Sequence, residues 1–145
     1  MLNFLNKKDN KKEKNNEENK KIILIACLMV HAAKMDENYT EIEKKIIKKA
    51  LIDLNNISSD QAEELIKRAE KREEESNQLV EYTREIKKYT MESRLKIIEV
   101  IWKIVYSDGV GDDYESNLIR RICGLLYISD KDNGIIKTKV KSLLK

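Results

Sequence analysis

The sequence contains no proline and only 4 glycines among its 145 residues. Because these are the residues that most often interrupt helices and form tight turns, their scarcity favours long helices with few breaks. The chain also has 1 histidine and 2 cysteines, and neither Cys27 nor Cys123 has a second thiol or an imidazole at the spacing of a metal site. We expect both thiols to be free and buried in a reducing compartment, and His31 to be packed rather than catalytic.

The residue patterns of common catalytic sites are also absent. The sequence has no Ser/His/Asp set, no nucleophilic cysteine near a histidine and no glycine-rich loop that could hold a phosphate. Paired carboxylates alone can act as acid and base, but an active site normally adds other polar groups and a pocket. The sequence therefore predicts a protein that is not an enzyme.

No hydrophobic run is long enough to span a membrane. The longest, Ile22–Ala33, covers twelve residues, whereas a spanning helix needs about 20. The polar segment before it is too long and too acidic for a secretory signal. A short helix that is apolar on all sides is typical of the centre of a core. We therefore expect a core helix in a cytoplasmic protein.

The N-terminal segment differs in composition from the rest of the chain. We predict a disordered tail over residues 1–20 and a single helical domain over residues 21–145. Residues 6–21 contain seven lysines and four acidic residues, a surplus that equals the formal net charge of +3. The remainder of the chain is thus close to neutral. Since nucleic-acid-binding domains usually present a basic face, we expect no nucleic-acid partner.

Apolar residues at helical spacing predict seven helices, and no segment alternates with the period of a strand. The fourth helix is predicted to begin at Ser76 or Asn77 and to extend to Tyr89, and the others cover residues 22–33, 42–54, 60–72, 91–106, 113–127 and 130–144. Ile42 is predicted to face inward, and Glu73–Glu75 to form a solvated connection. The fold class is therefore all-α, a compact bundle of about seven helices.

Two acidic loops each follow an apolar helix and precede an amphipathic one. The second loop, Asp108–Glu115, includes two glycines, which allow the backbone to turn through conformations closed to other residues. A shift of 72 residues places Asp36 on Asp108 and Glu43 on Glu115. We predict an internal pseudo-repeat of helix, acidic loop and helix.

The acidic side chains of these loops are candidate ligands for a divalent cation. They are Asp36, Glu43, Asp108, Asp112 and Glu115. Clustered carboxylates suit Ca²⁺, Mg²⁺ or Mn²⁺, and if the two loops meet, they could share one ion. The alternative is structural, because both glutamates occupy the third position of a capping box, in which a carboxylate stabilises the start of a helix. The aspartates would then accept backbone hydrogen bonds in the turns.

Several residues of the two units resemble the TerB-like family, named after the tellurite resistance protein TerB. The resemblance rests on Ala33–Asp36 followed by Glu43, on Tyr106–Gly109 followed by Glu115, and on the run Leu118–Leu126. The hallmark of the family is an Asp-Gly-x-x-x-x-x-Glu element after a buried helix, which also occurs in the N-terminal domain of a membrane-anchored DnaJ-like co-chaperone. The first copy departs from this pattern, since it has Glu37 where the family usually has glycine.

The resemblance implies a role in stress or in tolerance of tellurite and other metals. It implies a protein partner, with the chain acting as an adaptor at the inner face of the membrane, and acidic residues in contact with a metal. The alternative is a metal-independent adaptor of the co-chaperone type, which would recruit its partner through an exposed acidic face. We expect no organic cofactor in either case.

Overall fold

A computed structural model of the chain describes residues 20–36, 39–76, 78–108 and 113–143. Within these residues all regular structure is helical and there is no strand. The α-helices are α1 (20–33), α2 (Glu41–Asn55), α3 (Ser59–Glu75), α4 (Leu79–Ile86), α5 (Met91–Val105), α6 (Asp113–Leu125) and α7 (Asp130–Leu143). The predicted all-α bundle of about seven helices is confirmed. Residues 1–19 of the predicted tail lie outside the described residues.

The first helix, α1, lies in the core, as its composition predicts. Every side chain from Ile22 to Val30 is buried, and so are Ala32 and Ala33. A helix without a polar face can be surrounded on all sides without removing a charged group from water, and each large apolar side chain buried in this way contributes about 1.5–3 kcal/mol. None of the helices in the described ranges is long and apolar enough to cross a membrane.

The second core helix, α5, contacts α2, α6 and α7. Its Trp102 is almost fully buried, and the indole Nε1 donates a hydrogen bond to Asn133 Oδ1 on α7 over 2.9 Å. The ring also stacks on Tyr106, with 5.4 Å between the centroids. Lys96 and Glu99 of α5 are not buried, and they line surface cavities towards α2 and α7.

Four helices begin at a serine or threonine whose side-chain oxygen accepts a backbone hydrogen bond. These N-caps are Thr40, Ser58, Thr90 and Ser129. Such caps satisfy amide groups that a helix start would otherwise leave without a partner, and each typically contributes about 1 kcal/mol. Capping of this kind depends on neighbouring residues alone.

The buried face of α2 differs from the prediction. Ile42, predicted to face inward, is 61% exposed, while Glu43 is 5% exposed. The buried line runs instead through Glu43, Ile47 and Leu51. The capping box supplies hydrogen-bond partners for the Glu43 carboxylate in this buried position. The apolar pattern alone could not distinguish two adjacent stripes.

Glu73–Glu75 do not form a solvated connection. They are the last residues of α3, and Glu73 is 8% exposed. Glu73 continues the buried line of Ala62, Ile66 and Ala69 at helical spacing. The helix therefore includes Glu73, although the charge of this residue had led us to predict an exposed connection. The next helix begins at Leu79 rather than at residue 76 or 77.

The local structure of the first half recurs in the second. Two 3₁₀ turns, Lys34–Asp36 and Tyr106–Asp108, each follow a core helix and end on an aspartate. The helices after them, α2 and α6, are followed by residues of positive φ, Asn56 at 53° and Tyr127 at 58°. This order agrees with the predicted pseudo-repeat, while the similarity of the two halves in space stays a prediction.

Candidate functional site

The two acidic loops follow the 3₁₀ turns that end at Asp36 and Asp108. The backbone of Glu115 lies in the first turn of α6, and Asp112 lies outside the described residues. Of the five predicted ligands, Glu43 is the one whose side chain belongs to the described structure. The predicted capping box of Asp112 and Glu115 and the glycine-containing part of the second loop also lie outside it.

Glu43 forms the predicted capping box. Its Oε1 accepts hydrogen bonds from the Thr40 backbone N–H over 2.8 Å and from the Thr40 hydroxyl over 3.0 Å. The Glu43 backbone N–H in turn donates to Thr40 Oγ1 over 3.2 Å. The structural role of this carboxylate is therefore confirmed. A capping carboxylate can also contact a cation, so the two roles are compatible.

One surface cavity brings the two loop regions to the same end of the bundle. It measures about 290 Å³ and is lined by Ile42, Ile46, Lys103, Ser107, Val140 and Leu143. Ile42 is the neighbour of Glu43 in the first unit, and Ser107 is the neighbour of Asp108 in the second. The hydroxyl of Ser107 donates to the Ile104 carbonyl over 2.6 Å, which holds the start of the second turn. The last helical turn of α5 and the first turn of α2 thus border a common space.

Among the side chains that the structure describes, no three His, Cys, Asp or Glu residues are close enough to hold a metal ion. Four of the five predicted ligands have no described side chain. The cation site in the acidic loops consequently stays a prediction.

A second polar cluster, which we did not predict, joins α1 to α3. Glu73 Oε1 lies 3.2 Å from His31 Nδ1, and Glu73 Oε2 lies 3.1 Å from Lys34 Nζ. The Glu73 side chain is only 9% exposed, so a partner on each oxygen compensates for its removal from water. His31 is thus packed and partly exposed, as predicted. The available signal was the helical spacing that places Glu73 in line with Ala69.

Tyr39 anchors the residues between the first loop and α2. Its hydroxyl donates to Glu70 Oε1 over 3.4 Å, and Lys44 Nζ lies 4.9 Å from the ring centroid. Burial, with the nearby Glu70 carboxylate as a second cause, raises the pKa of the Tyr39 hydroxyl. The tyrosine therefore stays neutral at physiological pH and acts as a hydrogen-bond donor.

Both cysteines are free and buried, which confirms the prediction. Burial raises the pKa of Cys27 to about 11 and that of Cys123 to about 12. A nucleophilic or metal-binding cysteine needs the thiolate form. Neither thiol is therefore a good candidate for either role.

One comparison with known proteins gives a match. The family model "Tellurite resistance protein TerB" matches residues 23–138, a range that includes both acidic loops. No curated protein and no solved structure matches the chain.

Proposed function

The chain belongs to the TerB family. On this basis we propose that it is a non-enzymatic binding module of the cytoplasm. It acts in stress or in tolerance of tellurite or metals. It binds a protein partner, and its acidic loops bind a divalent cation. The residues assigned to the cation are those predicted from the sequence, Asp36, Glu43, Asp108, Asp112 and Glu115.

The cavity that borders both loop regions carries the cation proposal. Ile42 and Ser107 line the same cavity, and each is the immediate neighbour of an assigned ligand. A short distance between the loops would allow carboxylates from both units to share one ion. Carboxylate oxygens are the ligands that Ca²⁺, Mg²⁺ and Mn²⁺ prefer.

The binding is expected to be weak. The loop lacks the alternating aspartates of an EF-hand, and Glu43 already uses one oxygen to cap α2. An ion held by fewer protein oxygens keeps more of its water and dissociates more readily. We expect a dissociation constant of about 10⁻⁴ to 10⁻³ M, the range of loose calcium modules.

The state of the nucleophilic side chains supports the non-enzymatic part of the proposal. Both thiols are buried, with raised pKa values. The imidazole of His31 lies against Glu73. These groups are engaged in packing and hydrogen bonding, which is typical of structural roles.

Calorimetric titration tests the cation site. Ca²⁺, Mg²⁺, Mn²⁺ and Zn²⁺ would be titrated into protein treated with a chelator, and the experiment repeated with Asp108→Asn. Asp60→Asn is the matched control, since Asp60 is an exposed carboxylate in the first turn of α3. Saturable heat that Asp108→Asn abolishes and Asp60→Asn preserves would support the site, and its stoichiometry would show whether the loops share an ion. The absence of heat at millimolar cation would contradict it.

A metal-independent adaptor is the second candidate. It is favoured by the buried position of Glu43 and by its role as a cap, which account for this residue without any ion. In that case the partner, such as a chaperone or a membrane-associated protein, would bind the acidic face directly. Partner binding that is unchanged by a chelator and lost on neutralising Asp36 and Asp108 would identify this mode.

A further inference from the structure

The outward face of α5 forms the floor of a valley between α2 and α7. Three surface cavities follow it, of about 380 Å³ between α2 and α5, about 290 Å³ at the end of α5, and about 320 Å³ between α5 and α7. The first and second share Ile46 and Lys103, and the first and third share Lys96 and Glu99. The cavities are therefore neighbours along α5, and we call them together the α5 valley.

Exposed apolar side chains are concentrated along this valley. Six large hydrophobic residues of the described structure are exposed, and three of them, Ile42, Ile135 and Leu143, line it. Partly buried apolar side chains lie beside them, including Ile46 and Val100. Single exposed apolar residues are normal, but a group of them along one groove is typical of a binding surface.

The charges of the valley differ between its two ends. Near the start of α5, Lys96 pairs with Glu92 over 3.3 Å, and Lys139 of α7 pairs with Glu99 over 2.8 Å. Towards the end of α5, Lys103 has no ion-pair partner in the described structure. Among the described residues that line the 290 Å³ cavity, Lys103 is the only charged one.

Lys103 lines two of the cavities. Their lining includes two further charged residues that have no ion pair within the described residues, Lys49 and Asp53. Lysines thus outnumber acids among the unpaired described charges of these two cavities. A ligand that covers the apolar residues would remove Lys103 from water. A carboxylate opposite its ammonium group would compensate for that cost.

We propose that the α5 valley binds an amphipathic helix of a partner protein. Its apolar residues, spaced at i, i+4 and i+7, lie against Ile42, Ile46 and Leu143, and a carboxylate on its flank pairs with Lys103. The floor of the valley, α5, is 15 residues long, or about 22 Å, which matches a partner helix of four turns. This inference rests on the proposed partner binding and does not require the proposed cation, although the 290 Å³ cavity enters both proposals.

The chain itself offers no segment of this chemistry. Met1–Leu5 is apolar but short, and the segment that follows it is rich in lysine, so it has the wrong charge for Lys103. In a second copy, the acidic helix α3 already buries its apolar side, including Leu65 and Ile66. An acidic amphipathic helix from another protein fits the valley better than either.

Fluorescence anisotropy with synthetic peptides tests the proposal on the full chain. The probe is a labelled helical peptide of about 15 residues with leucines at i, i+4 and i+7 and glutamates beside them. A second peptide carries lysines in place of the glutamates, and a third has the same composition in scrambled order. The protein variants are Ile42→Ser and Lys103→Glu, with Val80→Ser and Lys71→Glu as matched controls, since both control residues are exposed and lie outside the valley.

The glutamate peptide should bind saturably, and each valley variant should weaken it by about tenfold, the effect of losing one central contact. The control variants should change the affinity less than twofold. Asp108→Asn should also leave the affinity for the glutamate peptide unchanged. Failure of the cation site can therefore be distinguished from failure of the valley.

Several results would overturn the proposal. They are an equal affinity for the lysine or scrambled peptide, equal effects of valley and control variants, or no binding of the glutamate peptide at millimolar concentration. A large gain in affinity with Phe4→Ser would show that the N-terminal segment of the chain occupies the valley. Dimerisation that Ile42→Ser abolishes would assign the valley to a second copy instead.

Discussion

The Glu43 carboxylate lies 2.8 Å from the Thr40 backbone nitrogen, and the Thr40 hydroxyl lies 3.2 Å from the Glu43 backbone nitrogen. This reciprocal pair caps α2 immediately after the first acidic loop. One of the two residues assigned to a cation in the first unit is therefore also the residue that caps the next helix. Substitutions at Glu43 can separate the two roles.

Glu43→Ala should lower the free energy of unfolding by about 1–2 kcal/mol, because the Thr40 backbone N–H and hydroxyl lose their acceptor. Glu43→Gln should cost much less, since a glutamine carbonyl can accept the same hydrogen bond. The chain itself contains such a pair, in which the Ser58 backbone N–H donates to Gln61 Oε1 over 2.9 Å. Urea unfolding followed by circular dichroism measures both changes. Equal losses for the two variants would contradict the capping role and indicate that the charge of Glu43 is what matters.

Glu73→Ala should destabilise the fold by about 2–3 kcal/mol, because it removes the partner of two groups that the fold holds close together. These are His31 and Lys34, at 3.2 and 3.1 Å from the two Glu73 oxygens. Glu74→Ala is the control, since the Glu74 side chain is 72% exposed and lies 3.8 Å from Lys34. Exposed pairs of this kind contribute within about 1 kcal/mol. Similar losses in the two variants, measured by urea unfolding, would show that the buried cluster contributes nothing specific.

Alkaline pH should destabilise the protein through its two buried thiols. The pKa of Cys27 is raised from 9.0 to about 11, and that of Cys123 from 9.0 to about 12. The unfolded chain releases these protons near pH 9 while the folded chain retains them, so the stabilisation is complete below pH 9 and is lost as the pH rises through the folded values. By pH 10 the expected loss is about 1 kcal/mol for each thiol.

The measurement is urea unfolding at about pH 8 and about pH 10, in the wild type and in a Cys27→Ala, Cys123→Ala variant. The variant should lose less stability between the two pH values. A smaller pH dependence should remain, because the pKa values of Tyr82 and Tyr89 are also raised, from 10.0 to about 12. An identical loss in the two proteins would show that the thiols do not contribute.

Tyr127→Gly should stabilise the protein by about 0.5–1 kcal/mol. Tyr127 follows α6 with a φ of 58° and a side chain that is 68% exposed, so the change relieves the left-handed conformation and removes little packing. The hydrogen bonds around Tyr127 are those of a helix terminus that favours glycine. Ile128 N–H donates to the Cys123 carbonyl over 2.9 Å, and Tyr127 N–H donates to the Gly124 carbonyl over 3.4 Å. Tyr127→Ala should give no such gain in thermal unfolding. A gain for both variants would locate the effect in the side chain rather than in the backbone.

Local signals in the sequence determined most of the fold. The capping box of Glu43, the apolar helix α1 and the spacing of α5 depend on neighbouring residues, and each was predicted from them. The aspartates that end the two 3₁₀ turns were found in the same way, from a shift of 72 residues. The family followed from these same residues, because they carry its pattern.

Only the tertiary structure decided which face of a helix is buried and which distant side chains meet. Ile42 is exposed because α2 turns Glu43 inward. Glu73 is buried because His31 and Lys34 lie beside it, and both belong to a segment some forty residues earlier in the chain. The α5 valley likewise depends on α2 and α7 lying on either side of α5. Contacts of this kind join residues far apart in the chain, so the spacing of apolar residues within one helix contains no information about them.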